Sequence, residues 1–220
     1  LKLEKKFNKY YSHIIKDINF NLDTSKNTFH SLSKKFKLNF KINDLKRFKR
    51  FQTVVIIGMG GSILGSEAIY HFFRDKIKKN FLFFDNINED MTQKLKNKKN
   101  LKKILFIIVS KSGKTIETLS NILALKIIKK SSKNIILISE KNDNPLYLLS
   151  QKMKLFFIAH KKYIGGRYSV LSEVGLVPAY LMGVNILKLR ENLIKHLKKN
   201  NKKFLKESSI KLSTLLKKNR

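Results

Sequence analysis

The sequence predicts an α/β protein built on a five-stranded, parallel, doubly wound sheet of Rossmann-like type, with flanking N- and C-terminal helices. Two observations carry this reading. Five short apolar runs rich in β-branched and aromatic residues recur between Thr53 and Ala159, and stretches with helical apolar spacing separate them. Strand, helix and parallel strand cross over right-handed, so repeated units of this kind lay helices on both faces of the sheet. A third observation points to where function lies. Ligands of such sheets bind at the carboxyl ends of the strands, and the loops after Ile57, Val109 and Ala159 are the three of unusual composition.

The elements follow in order. Leu3, Phe7, Tyr10, Tyr11, Ile14 and Ile18 recur at three- and four-residue steps, the spacing of an amphipathic helix. Residues 21–43 are less regular, with one short helix expected around 29–36. TVVIIG (53–58) is a compact β-branched run; a glycine loop follows, then Ile63, Leu64, Ala68, Ile69, Phe72 and Phe73 at helical spacing. This reads as a buried strand, a tight turn and a helix. The second strand is expected at 81–84 and the third at ILFIIV (104–109), followed by SKSGKT and a helix to about residue 130. NIILIS (134–139) is the fourth, ended by the turn-rich EKNDNP, and 155–159 is the fifth. Residues 185–219 read as one or two Lys-rich helices with Ile186, Leu189, Leu193, Leu197, Phe204, Ile210 and Leu215 as an apolar stripe. The expected organisation is a helical segment (1–50), a ligand-binding α/β domain (51–185) and a helical connector (186–220).

Composition narrows the function classes. The 220 residues carry 48 Lys or Arg against 15 Asp or Glu, a net charge of +33, yet 42% are apolar and supply a core, so the charge does not impose disorder. Of the cations 42 are Lys and six Arg, beside 25 Ile, 20 Asn and 16 Phe. Lys, Ile, Asn and Phe are all served by A/T-rich codons, so mutational bias accounts for much of this charge, and nucleic acid is not an expected partner. The absence of Cys excludes a disulfide framework and a Cys-based metal site. No apolar run reaches the roughly 18 to 20 residues of a membrane helix, and in LKLEKKFNKYYSHIIKD polar residues interrupt every apolar pair, leaving no signal-peptide core. A soluble cytoplasmic protein without a membrane partner is expected. The chain opens on Leu1 rather than Met, which suggests an incomplete N-terminus or an alternative start.

The three loops carry the chemistry. GMGGSILG (58–65) lets backbone N–H groups approach a ligand without Cβ interference at a helix N-terminus, a ready anion site. An NAD-type fingerprint needs Gly or Ala where this chain has Ile63, although Asp85 stands where a ribose-binding acid would. SKSGKTIET (110–118) contains GKT but is no Walker A loop, because the Gly required five positions before Gly113 is Ile108. It gathers the hydroxyls of Ser110, Ser112, Thr115 and Thr118 with two ammonium groups at a strand-to-helix turn. N-capping accounts for one hydroxyl of the four. Hydrogen bonds to a charged partner contribute about 1.5 to 3 kcal/mol each, so such a loop suits a phosphomonoester. In YIGGRYS (163–169), Arg167 sits in a double-glycine turn, where its planar fork can hold oxygens bidentately.

Taken together, GMGGSILG, SKSGKTIET and GGRYSVLSEVGLVPA (165–179) resemble, in order, the motifs of the glucose-6-phosphate isomerase (phosphoglucose isomerase) family: G-x-G-G-S-x-x-G, S-K-[ST]-x-x-T-x-E-T and G-G-R-[FY]-S-V-L-S. The similarity runs from about residue 51 to 192. The family uses tandem sugar-isomerase (SIS) domains, and this chain resembles the first, with 186–220 leading toward a second. The resemblance implies reversible isomerisation of glucose 6-phosphate and fructose 6-phosphate through an enediolate, in glycolysis and gluconeogenesis, without cofactor or metal. Gly61 and Ser62 would line the sugar-phosphate site, and Ser110, Lys111, Ser112, Gly113, Lys114 and Thr115 would surround the phosphate, with Lys114 replacing a hydroxyl residue often found there. Arg167 would stabilise the enediolate.

The family's base is a Glu in an E-[ST]-x-G-K segment, helped by a ring-opening His and a Lys. No such segment occurs in these residues, and Glu117 and Glu173 match supporting positions. The chain alone is therefore expected to be inactive, as a fragment of a homodimeric enzyme. The alternatives are a single SIS domain that binds a sugar phosphate without catalysis, and a bifunctional glucose/mannose-phosphate isomerase relative.

Overall fold

Apolar residues at helical spacing open the chain and form α1 (Lys2–Asn21), and a short α2 (Ile42–Lys46) precedes the sheet. There follow β1 (Thr53–Ile57), α3 (Leu64–Phe72), β2 (Asn80–Phe84), α4 (Glu89–Lys96), β3 (Ile104–Val109), α5 (Ile116–Leu125), β4 (Ile135–Glu140), α6 (Pro145–Lys152) and β5 (Phe156–His160). The last helices are α7 (Glu173–Leu181), α8 (Ile186–Glu191) and α9 (Lys202–Lys218). This computed structural model describes residues 2–24, 27–97, 100–191, 193 and 202–218. The chain divides into two compact units, Leu1–Phe36 with Leu187–Arg220, and Lys37–Ile186.

The second unit holds the sheet, whose strand order is β2-β1-β3-β4-β5. Every pairing is parallel, with Val55 opposite Leu82 and Phe106, Ile107 opposite Ile136, and Ile138 opposite Ile158. The expected five-stranded doubly wound sheet is thus present. All six residues of β3 are buried, as a central parallel strand covered on both faces requires. Val55, Ile57, Phe106, Ile108 and Leu137 pack with Ile122 and Leu125 of α5, Leu95 of α4 and Leu146 of α6. Their neighbours Val54, Ile56, Leu105, Ile107, Ile136 and Ile138, equally buried, point to the opposite face. There α3 packs on α7, a helix buried along all nine residues.

Strand order reverses at β1, since the chain steps to β2 on one side and then to β3 on the other. The crevice outside the carboxyl ends of β1 and β3 is therefore the topological switch point where such sheets receive ligands.

Local differences from the expected elements have identifiable causes. The helix after SKSGKT stops at Leu125 instead of near residue 130, with Lys126 in the left-handed region at φ 50°. The next apolar residue, Ile127, turns into the core rather than continuing a helical face. The short helix expected at 29–36 is a 3-10 turn at Thr28–Leu32, entered through Asn27, whose side chain accepts from the Phe29 N–H at 2.8 Å.

In the first unit α1 packs on α9, and Ile15, Ile18 and Leu22 of the α1 region are buried. Of the expected C-terminal stripe, Ile186 and Ile210 are buried while Phe204 and Leu215 are exposed. Leu197, with residues 192, 194–201 and 219 of the expected helices, lies outside the described residues. Among the described residues no helix is long and apolar enough to cross a membrane.

Candidate functional site

The glycine loop touches both of its neighbours at the carboxyl edge. Gly58 donates to the Phe84 carbonyl at 3.1 Å, the last link to β2, and a 3-10 turn at Gly60–Ser62 then leads into α3. A Cβ at Gly58 would stand 2.9 Å from the Val109 carbonyl oxygen at the end of β3. On the other side the turn meets a second 3-10 turn, Gly166–Tyr168, which follows β5. A Cβ at Gly61 would lie 2.3 Å from the Gly166 carbonyl carbon and 2.7 Å from the Arg167 nitrogen, so a residue without Cβ is required there. Ser169 fastens the contact, its hydroxyl lying 3.1 Å from the Gly61 carbonyl and 2.6 Å from that of Gly166. Between the two turns is an open cavity of about 590 Å³ whose walls include Gly61, Gly166, Arg167 and Tyr168. Arg167 is exposed and makes no ion pair among the described residues.

The loop after β3 is held from within. Ser110 is 1% exposed, and its hydroxyl bonds the Thr115 hydroxyl at 2.8 Å and accepts from the Gly113 N–H at 3.1 Å. Gly113 adopts φ 66°, and a Cβ there would fall 1.8 Å from Oδ1 of Asn144. Asn144 is buried and anchored, its Oδ1 accepting from the Tyr147 N–H at 3.0 Å and its Nδ2 donating to the Glu140 carbonyl at 2.8 Å. Thr115 is the N-cap residue of α5 but makes no side-chain cap bond, because its hydroxyl is engaged with Ser110. The first N–H groups of α5 are thus left without a capping side chain, in the electropositive field of a helix N-terminus. Ser112 and Lys114 are exposed beside it, with Ser112 Oγ accepting from the Lys114 N–H at 3.2 Å. Thr118, fully buried, has no hydrogen-bond partner for its hydroxyl among the described residues.

Charged groups form a second layer along β3, β4 and β5. Lys111 reaches Glu140 at 3.7 Å, and Asn142 donates to the other carboxylate oxygen at 3.1 Å. Lys161 lies 3.8 Å from Glu173, the buried first residue of α7, whose Oε1 also accepts from the Asn39 N–H at 2.8 Å. Asn39 ties the segment before α2 to this edge, donating to the Ala159 carbonyl at 2.8 Å and accepting from Lys161 at 2.6 Å. His160, paired in register with Glu140, is buried with both ring nitrogens lacking a partner among the described residues. Burial first, then the charges of Lys111 and Lys161, push its pKa down to about 4, so the ring is neutral at pH 7. Burial and the Glu173 carboxylate raise the pKa of Tyr163.

Of the expected site residues, the structure places Gly61 and Arg167 on one cavity wall. Ser62 is half-buried at the end of the same glycine turn. Ser110, Lys111, Ser112, Gly113, Lys114 and Thr115 form the adjacent β3–α5 loop and do not line that cavity. Ser110 faces inward and Lys111 is drawn toward Glu140. Glu117 is exposed on the first turn of α5. Sequence reasoning missed Asn39, Glu140, Asn144 and His160. For Asn144 a signal existed: Asn-Pro is a helix-start pair, and Pro145 opens α6.

Known proteins resemble this chain in sequence and in fold. A glucose-6-phosphate isomerase from Methanocaldococcus jannaschii is 36% identical over 152 residues, covering 68% of this chain and 38% of that protein. One from Borrelia garinii is 38% identical over 169 residues, covering 71% of this chain and 31% of its own length. The chain thus spans about a third of the length of these curated relatives. Among solved structures, a hypothetical protein from Thermus thermophilus shares the fold over 100% of this chain and 56% of its own, with a TM-score of 0.70 and 22% identity. A glucose-6-phosphate isomerase from Chlamydia trachomatis is 27% identical with a TM-score of 0.56, over 69% of this chain and 30% of its own. The sequence profile of the family described as phosphoglucose isomerase matches residues 14–213, and on that match the chain belongs to the phosphoglucose isomerase family.

Proposed function

We propose that this chain provides the phosphate-anchoring and charge-stabilising half of a glucose-6-phosphate isomerase, which interconverts glucose 6-phosphate and fructose 6-phosphate. The observation that carries the reading is the glycine loop abutting both neighbours at the β1–β3 switch point. It sets the unblocked N-terminus of α5 on one side and the Arg167 turn on the other. A phosphomonoester would take the first N–H groups of α5 together with the Ser112 and Thr115 hydroxyls. Each hydroxyl donates one proton. Either hydroxyl can donate in the Ser110–Thr115 bond, but the Ser110 proton is buried away from water, so in this reading it goes to Thr115 and leaves the Thr115 proton for a phosphate oxygen. Ser110 is then a positioning residue and Thr115 the donor. The sugar would lie over the Gly61–Gly166 contact, where no Cβ intervenes, with the Arg167 guanidinium facing the enediolate oxygens. A preorganised donor of that kind is worth about 2.7 to 4 kcal/mol in the barrier.

Proton transfer between C2 and C1 also needs a general base within hydrogen-bond reach of the sugar. Glu140 is paired with Lys111, Glu173 is buried beside Lys161, and among the described residues no acid lines the cavity beside Arg167. On this reading these residues do not supply the base, and the chain by itself would bind without turning over. Titration calorimetry of the chain with glucose 6-phosphate, inorganic phosphate and glucose tests the binding. Heat is expected from the two phosphates and none from glucose, and an equal response to glucose would contradict the reading.

A further inference from the structure

A second cavity, of about 520 Å³, opens at the opposite, amino-terminal edge of the sheet. The segments that wall it enter the strands from that side: Arg50 and Phe51 before β1, Leu101 and Lys102 before β3, and residues 126–134 between α5 and β4. Its apolar floor is made by Phe51, Phe106 and Ile127, all buried. Around the floor stand Arg50, Lys102, Lys126, Lys129, Lys130 and Lys133, all exposed. None of these six is within ion-pair distance of a carboxylate among the described residues.

The basic character of the whole chain does not account for this wall. Six of the seven exposed residues of this wall are cations and none is acidic, whereas Lys and Arg make up fewer than half of the exposed residues among those described. The carboxyl end of α5 attracts cations, but a helix end offers only about half a negative charge. The cavity is comparable in span to a Debye length of about 8 Å at physiological ionic strength, so solvent ions only partly screen its cations from one another. The wall is also set before any ligand arrives. Lys126 and Ser131 hold left-handed backbone at φ 50° and 57°, although neither is glycine. The Ser131 N–H donates to the Met153 carbonyl at 2.7 Å, and Asn134 Nδ2 bonds the carbonyls of Ile104 at 2.7 Å and Leu101 at 3.1 Å.

We propose that this cavity is a second anion site, distinct from the sugar-phosphate site, that takes an oligophosphate chain, either free or carried by a nucleotide. A single phosphate monoester would leave most of the six cations unmatched, whereas a triphosphate brings several negative charges in a span the wall can surround. If the chain is carried by a nucleotide, the apolar floor receives the base.

The test is calorimetry of the 220-residue chain with adenosine triphosphate, inorganic tripolyphosphate, adenosine and glucose 6-phosphate, at 150 mM salt so that diffuse attraction to a basic surface is suppressed. The variant Lys129→Gln with Lys133→Gln is compared with Lys78→Gln with Lys94→Gln, which removes the same charge from exposed positions elsewhere. Saturable triphosphate binding, weakened about tenfold or more by the cavity pair but not by the control pair, is expected, with the glucose 6-phosphate response unchanged in both. Tighter binding of adenosine triphosphate than of tripolyphosphate assigns the chain to a nucleotide, and equal binding assigns it to free oligophosphate. Equal weakening by the two variant pairs, no saturable binding, or equal displacement by a single-stranded oligonucleotide at matched phosphate would overturn the proposal.

Discussion

Replacing Gly61 by Ala drives a methyl group against backbone that cannot step aside cheaply. The new carbon would sit 2.3 Å from the Gly166 carbonyl carbon, 2.5 Å from its oxygen and 2.7 Å from the Arg167 nitrogen. All three are main-chain atoms of the turn that carries Arg167, so relief requires the two turns to part by about 1 Å. Overpacking of this kind costs about 1 to 3 kcal/mol in stability. A 1 Å displacement of a catalytic group costs on the order of 10²-fold in rate. Gly60 separates sterics from backbone strain, because it has φ 50° but open space around a would-be Cβ. Gly60→Ala should therefore lose only the left-handed penalty of about 1 to 2 kcal/mol. Urea-unfolding midpoints for both variants, with calorimetric titration of Gly61→Ala by glucose 6-phosphate, make the comparison. A Gly61→Ala variant that unfolds at the wild-type midpoint and binds glucose 6-phosphate as the wild type does would contradict this clash.

Other consequences follow from the same geometry. His160 is held neutral with a pKa of about 4, whereas unfolded His160 protonates near 6.5. The unfolded state therefore binds the extra proton between those values, and stability should fall by up to about 3 kcal/mol as pH drops from 6.5 to 4. Urea midpoints against pH should show a shallower slope in that window for His160→Gln, and an unchanged slope would discredit the burial argument. Thr115→Ala should weaken glucose 6-phosphate binding by about 1.5 to 3 kcal/mol, while Ser110→Ala should weaken it less and lower the urea midpoint. A larger binding loss from Ser110→Ala would reverse the donor and positioning roles. Glu140→Gln releases Lys111 from its partner 3.7 Å away and should tighten phosphate binding modestly, by less than tenfold for a partly exposed pair. Weaker binding would show that Glu140 positions Lys111 productively.

Most of the sheet was legible because its strands are continuous β-branched or aromatic runs, which no amphipathic helix would tolerate. Strand ends were less so: Asn80, Glu140 and His160 are polar residues that extend β2, β4 and β5 through ladder pairing, which hydropathy does not report. The end of α5 was misread because Ile127 and Ile128 continue an apolar pattern that in fact feeds the core. At the candidate site the glycine and hydroxyl loops were visible as local motifs. Their internal wiring was not, since Ser110 turning inward depends on the geometry of one loop, and Asn39 reaches Glu173 across 134 residues of sequence. The Asn144 side chain that fills the space beside Gly113 likewise comes from a different βα loop.

In the proposed function Arg167 and its neighbouring loops serve an isomerase whose general base these residues do not supply. The direct measurement is conversion of glucose 6-phosphate to fructose 6-phosphate by this chain, by any longer product of its coding sequence, and by that longer chain with Arg167→Ala. Turnover is expected from the longer chain alone, reduced on the order of 10² to 10³ in kcat by Arg167→Ala. Robust turnover by the 220-residue chain, abolished by Glu117→Gln or Glu173→Gln, would contradict it.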